Sequence, residues 1–166
     1  MTAQAAYGLA LAVSLAGSAA HAGEARDAIR AFNAHCFTKG MTQEQAERRM
    51  RETSGTPASA PLPFTLTFYD TTIAPAPGAH PGTDRRCEVT FDGDHTAEAI
   101  AALREQMQTP PVFGTAGMLP PTHAPEAGTA LIEGRDLPRG RRAVVHVTLR
   151  NGRTAIGVDR LSPEVN

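Results

Sequence analysis

The chain has 166 residues, a formal net charge of −1, no Trp, six Phe and two Tyr. That is the length of one ordinary domain with a core lean in aromatics. The near-zero charge excludes a nucleic-acid binder that works by bulk positive charge. Beyond the first residues, no stretch is long and apolar enough to cross a bilayer as a helix.

Residues 7–15 form a short apolar run, and small residues follow it to Ala20, His21 and Ala22. This is the pattern of a secretory signal cut after Ala22, and it predicts a periplasmic or secreted protein made of residues 23–166. No cysteine lies near the cut to carry a lipid. Lys39 is the single lysine among sixteen basic residues, a bias that suggests a GC-rich bacterial genome.

A first helix is expected over 23–37, because Ala25, Ile29, Phe32 and Cys36 recur at helical spacing. Gly40 stops it. Thr42 and Gln45 have the spacing of a capping box, which opens a second, more polar helix ending near Gly55. The proline-rich segment 56–63 separates it from a strand at 64–70, with Phe64, Leu66 and Phe68 on one side. Residues 71–84 carry three prolines and two glycines and read as a loop.

Arg85 to Phe91 alternate as a half-buried strand, with Cys87, Val89 and Phe91 on one side and Arg86, Glu88 and Thr90 on the other. It is expected to run antiparallel to the preceding strand. Asp94 is placed to cap a helix over 95–108 that buries Ala97, Ile100, Leu103 and Met107. Residues 109–128 contain five prolines and read as a long irregular stretch, which Val112, Phe113, Met118 and Leu119 would pin to the body. Residues 129–133 are expected to form a short strand.

The C-terminal part is better defined. Asn151 and Gly152 are the preferred pair for a two-residue hairpin turn between strands at 143–150 and 153–161. That turn sets the register: Arg150 faces Arg153, Val147 faces Ile156, His146 faces Gly157 and Val145 faces Val158. The fold class is therefore α+β: a single domain, with an antiparallel sheet of four to five strands, helices largely on one face, and a closing hairpin.

Cys36 and Cys87, both on apolar faces of an exported chain, are expected to form a structural disulfide. A redox or metal role is the alternative; no C-x-x-C motif is present to support it. Asp92, Asp94 and His95 look like a metal cluster but are explained by a turn and a helix cap. His35, His80 and His123 have no spacing that would make them converge as zinc ligands. Neither a metal nor a cofactor is implied.

On the polar side of the hairpin, His146 and Asp159 are diagonal neighbours across the strands. They are the candidate catalytic pair, with His146 as a base oriented by Asp159; the plain alternative is a solvated sheet face. Arg150 and Arg153 at the hairpin end are the candidate binding residues for an anion, since guanidinium pairs with carboxylate and phosphate in a bidentate way. Without interleaved aromatics, a single-stranded nucleic acid is not the expected partner.

The signal, the early helix with Cys36, the later strand with Cys87, the Ala-rich helix and the closing hairpin together resemble the small exported two-cysteine proteins of unknown function found in alphaproteobacteria. That resemblance carries no activity over and gives no residue a role. The expected function is a non-catalytic exported module that binds an anionic ligand or an envelope or protein partner through the Arg-bearing hairpin. A small hydrolase-like enzyme using His146 and Asp159 is the alternative, and a structural envelope-associated protein is the third reading.

Overall fold

Strands alternate inward and outward, so the odd-numbered residues of the strand Thr83–Asp92 (β2) should share one face, and they do: Cys87, Val89 and Phe91 are fully buried. The computed structural model describes residues 16–165. The apolar run of the expected signal, residues 7–15, lies outside the described residues. The first helix, Ala16–His35 (α1), starts before the expected position and includes the expected cut at Ala22.

From α1 the chain enters Gln43–Ser54 (α2), then Thr65–Asp70 (β1), β2 and the helix Thr96–Gln108 (α3). Four more strands follow: Thr115–Gly117 (β3), Thr129–Leu137 (β4), Arg141–Arg150 (β5) and Arg153–Leu161 (β6). They make one six-stranded sheet in the order β1-β2-β6-β5-β4-β3, with neighbours antiparallel. One strand more than the expected four to five is present, and one expected strand is longer. The segment 109–128 contributes β3, and β4 runs on to Leu137.

The hairpin has the register that Asn151 and Gly152 demand. Both residues have positive φ, 53° and 72°, as the tight turn requires. His146 faces Gly157, Val147 faces Ile156 and Arg150 faces Arg153. The capping box of α2 is complete, and Gly55 closes the helix in the left-handed conformation. At α3 the N-cap position falls on His95, without a side-chain cap, instead of the expected Asp94, which lies one residue earlier and accepts from the backbone N–H and hydroxyl of Thr96.

All three helices lie against the face that carries Cys87, Val89, Val145, Val147, Ile156 and Val158. Phe32, Met50 and Leu103 fill the space between the layers, each fully buried. A side chain of this size contributes about 1.5–3 kcal/mol when removed from water. Cys36, just past the end of α1, is bonded to Cys87 in the middle of β2. In the long segment only part of the expected pinning occurs. Phe113 stacks edge-on against Phe37 at 4.7 Å, while Val112 and Met118 are exposed.

Candidate functional site

The opposite face of the sheet is covered rather than solvated. Asp159 is fully buried, and His146 and Thr148 are 7% exposed. Two segments lie over it. One is the loop 71–82, anchored where the Tyr69 hydroxyl accepts from the His80 backbone N–H at 2.8 Å. The other holds the short 3₁₀ turn Pro121–His123, which delivers the buried His123. Beneath them is a pocket of about 110 Å³ lined by His80, Arg86, Glu88, His123, His146 and Asp159 among others.

Lateral rows across the sheet explain how these side chains meet. In one row Glu88 of β2 lies beside Gly157 of β6, which lies beside His146 of β5. Because Gly157 has no side chain, the His146 ring lies across it, and its Nε2 reaches Glu88 Oε2 at 2.9 Å. Burial alone would raise the Glu88 pKa; the hydrogen bond and charge of His146, with Arg86, more than offset it and hold the carboxyl below its usual value.

In the next row Arg86 of β2 lies beside Asp159 of β6. The guanidinium donates from Nε and Nη2 to the two carboxylate oxygens at 2.8 and 2.5 Å. His123 Nε2 lies 3.1 Å from Asp159 Oδ2, and its Nδ1 lies 2.9 Å from the Thr122 hydroxyl. Burial opposes ionisation of Asp159, yet the bonds from Arg86 and His123 hold its carboxyl well below the usual range. The His80 and His123 rings lie against each other, tilted by 46°, with centres 4.6 Å apart. Burial, then the nearby Arg86 and His123, push His80 below the ordinary histidine value.

The candidate catalytic residues His146 and Asp159 thus share one pocket, but each takes its hydrogen bonds from elsewhere. The oxygen on His146 is that of Glu88, and Asp159 is closed by Arg86 and His123. The candidate binding residues at the hairpin end are engaged as well. Arg150 pairs with Glu126 at 2.6 Å and Arg153 with Asp92 at 2.7 Å. Asp94 is held by Thr96, His35 bonds the Thr53 hydroxyl, and His95 lies 3.4 Å from Glu98.

No protein-family model, curated protein or solved structure matches the chain. The site must therefore speak through its geometry.

Beside the small pocket, and sharing Arg86 and His80 with it, a cleft of about 630 Å³ opens between the start of α2, strand β1 and the loop 71–81. Phe68, Ile73, Ala76 and Pro77 supply apolar wall, and Tyr69, His80 and Arg86 form its polar side. An apolar cleft of this size with a few convergent polar groups has the form of a small-molecule site. Sequence reasoning placed Arg86 and Glu88 on one side of their strand and His146 on one side of the hairpin. It had no means of joining the two sides, nor of bringing His80 and His123 over them.

Gly157 is the residue on which the His146–Glu88 contact depends. A methyl group there would overlap the His146 ring. Gly157→Ala should therefore turn His146 away, leave Glu88 without its partner, and destabilise the fold by about 1–3 kcal/mol in urea unfolding. A loss under about 0.5 kcal/mol, the range of an uninvolved surface change, would show that the ring is not held there.

Proposed function

We propose that this chain is an exported, non-catalytic binding module that holds a small, partly apolar molecule bearing an acidic or hydrogen-bond-accepting group. The observation that carries the reading is the cleft of about 630 Å³ whose polar side is Tyr69, His80 and Arg86. Asp159 engages Nε and Nη2 of Arg86, and among the described residues Nη1 has no hydrogen-bond partner. A ligand acceptor at that atom would complete the guanidinium. Export agrees with the oxidised Cys36–Cys87 pair, since disulfides persist in oxidising compartments. Among the described residues no helix is long and apolar enough to cross a membrane.

A second reading, a small hydrolase-like enzyme, is favoured by the burial of His146 against Glu88 in a pocket. It ranks below because both cysteines are bonded to each other and the hydroxyls lining that pocket belong to Thr122, Thr129 and Thr148. None of these is hydrogen-bonded to His146, as an activated nucleophile would be. In that reading Glu88, rather than Asp159, would orient the His146 base.

The fluorescence of an added dye, excited at wavelengths that no protein side chain absorbs, reports binding cleanly. The dye 8-anilinonaphthalene-1-sulfonate combines apolar rings with an acidic group. It should bind the native protein at one saturable site, and Ala76→Trp, which fills the cleft, should weaken it at least about tenfold, the effect of about 1.4 kcal/mol. Absence of saturable binding, or equal binding by the variant, would remove the cleft as a ligand site.

A further inference from the structure

The inward face of the sheet ends in arginines instead of apolar side chains. Arg85 continues the inward series of Cys87, Val89 and Phe91 on β2, and Arg160 continues that of Ile156 and Val158 on β6. The two are direct cross-strand partners. Like charges placed opposite each other repel, and charged side chains are seldom fully buried without a partner.

Arg85 is 3% exposed, and its Nε and Nη2 have no hydrogen-bond partner among the described residues. Its one acidic neighbour, Asp70, is 3.9 Å away, and its guanidinium lies over the Phe68 ring at 5.1 Å. Arg160 donates from Nη2 to the Phe37 carbonyl, while its Nε is buried and unpartnered.

Both arginines line a cavity of about 230 Å³, with Lys39, Arg141 and Arg142 around it and Asp70 and Asp84 as its acids. Arg142 is already engaged by Asp136 and by the Met118 and Val165 carbonyls. Lys39 and Arg141 are exposed at the rim. Burial, then Arg85 and Arg141, push the Arg160 guanidinium down to about 10. Three buried guanidinium nitrogens without acceptors among the described residues, beside a cavity where cations outnumber acids, call for a further acceptor. Solvation by water would satisfy the donors but not the excess charge.

We infer that the cavity between Arg85 and Arg160 is an oxyanion site, taking a phosphate, sulfate or carboxylate group between the two guanidiniums. Each presents N–H donors in a planar fork suited to such a group. The exposed Lys39 and Arg141 draw the anion to the mouth, and Phe68 and Phe113 back the guanidinium planes. The site adjoins the cleft beside Tyr69, with which it shares Asp70 and Ile73, but its arginines do not line that cleft, and it does not depend on the function proposed above.

The test is thermal unfolding and calorimetric titration with inorganic phosphate, sulfate and citrate, at constant ionic strength balanced with chloride. At least one of the three should bind saturably and raise the Tm by about 5–10 °C when present at a hundred times its Kd. Arg85→Met should abolish that rise and, by removing an unpaired buried charge, leave the Tm in chloride unchanged or higher. Arg141→Glu, a change at the exposed rim, should weaken binding at least about tenfold. Ala76→Trp, which fills the cleft, should leave the anion response intact, so the two readings fail separately. No saturable response to any of the anions overturns the inference. So does a response of both variants equal to that of the native protein, or a fall in the chloride Tm of Arg85→Met, which would make Arg85 a structural residue.

Discussion

Replacing Asp159 with Ala should lower the stability of the protein by about 3–5 kcal/mol. The carboxylate is fully buried and closes the donors of Arg86 and His123 together. Without it, a guanidinium whose side chain is only 21% exposed remains in the pocket with no carboxylate bonded to it. Breaking one side of such a pair costs far more than the pair contributes, because the charge left behind stays desolvated. Urea unfolding of the native protein and of Asp159→Ala measures the loss directly. The double variant Arg86→Met with Asp159→Leu should be more stable than Asp159→Ala, since neither charge then remains. A single-variant loss below about 1 kcal/mol would mean that Arg86 finds water instead.

The same pair gives a pH dependence of known sign. Asp159 titrates below its ordinary value of 3.8 in the fold, so the unfolded chain takes up its proton first as pH falls. Its stabilising contribution is complete above that ordinary value and declines as pH drops towards the folded one. The gap between native protein and Asp159→Ala should thus narrow as the solution is made more acid than about pH 5.

The second large effect belongs to the disulfide. Cys36 and Cys87 are separated by 51 residues and fully buried. Closing a loop of that length removes freedom chiefly from the unfolded chain and should stabilise by about 4 kcal/mol in the chain-entropy account. Replacing both cysteines with Ala should lower the Tm by about 8–16 °C at 2–4 °C per kcal/mol. Dye binding in the cleft, measured below the transition, should remain. Two thiols that alkylate freely in the unreduced native protein would contradict the bond. A loss of binding in the folded variant would give it a role beyond cross-linking.

Arg150 and Arg153 illustrate why a charge pattern alone is a weak guide to function. Two arginines opposed across a tight turn invite an anion, and each has one already, in Glu126 and Asp92. The carboxylates come from distant parts of the chain, so nothing near the turn foretells them. Arg85 and Arg160 present the reverse case. Their places in the inward series of two strands mark them as anomalous, because a core face should not continue into charge.

The elements that depend on neighbours along the chain were determined by sequence alone. Asn151 and Gly152 set the hairpin register because only residues tolerant of positive φ close so short a turn. The face of α1 that buries Ala25, Ile29 and Phe32, continued by Cys36 just past its end, follows from helical periodicity, and the Thr42–Gln45 cap from a hydrogen bond three residues long. Local geometry decides these, and it is written in adjacent residues.

The site was decided by tertiary structure. Inserting β2 beside β6 puts Glu88 next to Gly157 and Arg86 next to Asp159, contacts separated by 58 to 73 residues between the bonded side chains. Folding the proline-rich segments back over the sheet brings His80 and His123 above them and turns an expected open face into a pocket. Strand order and loop course depend on which surfaces bury best together across the whole chain, a balance that no local stretch encodes.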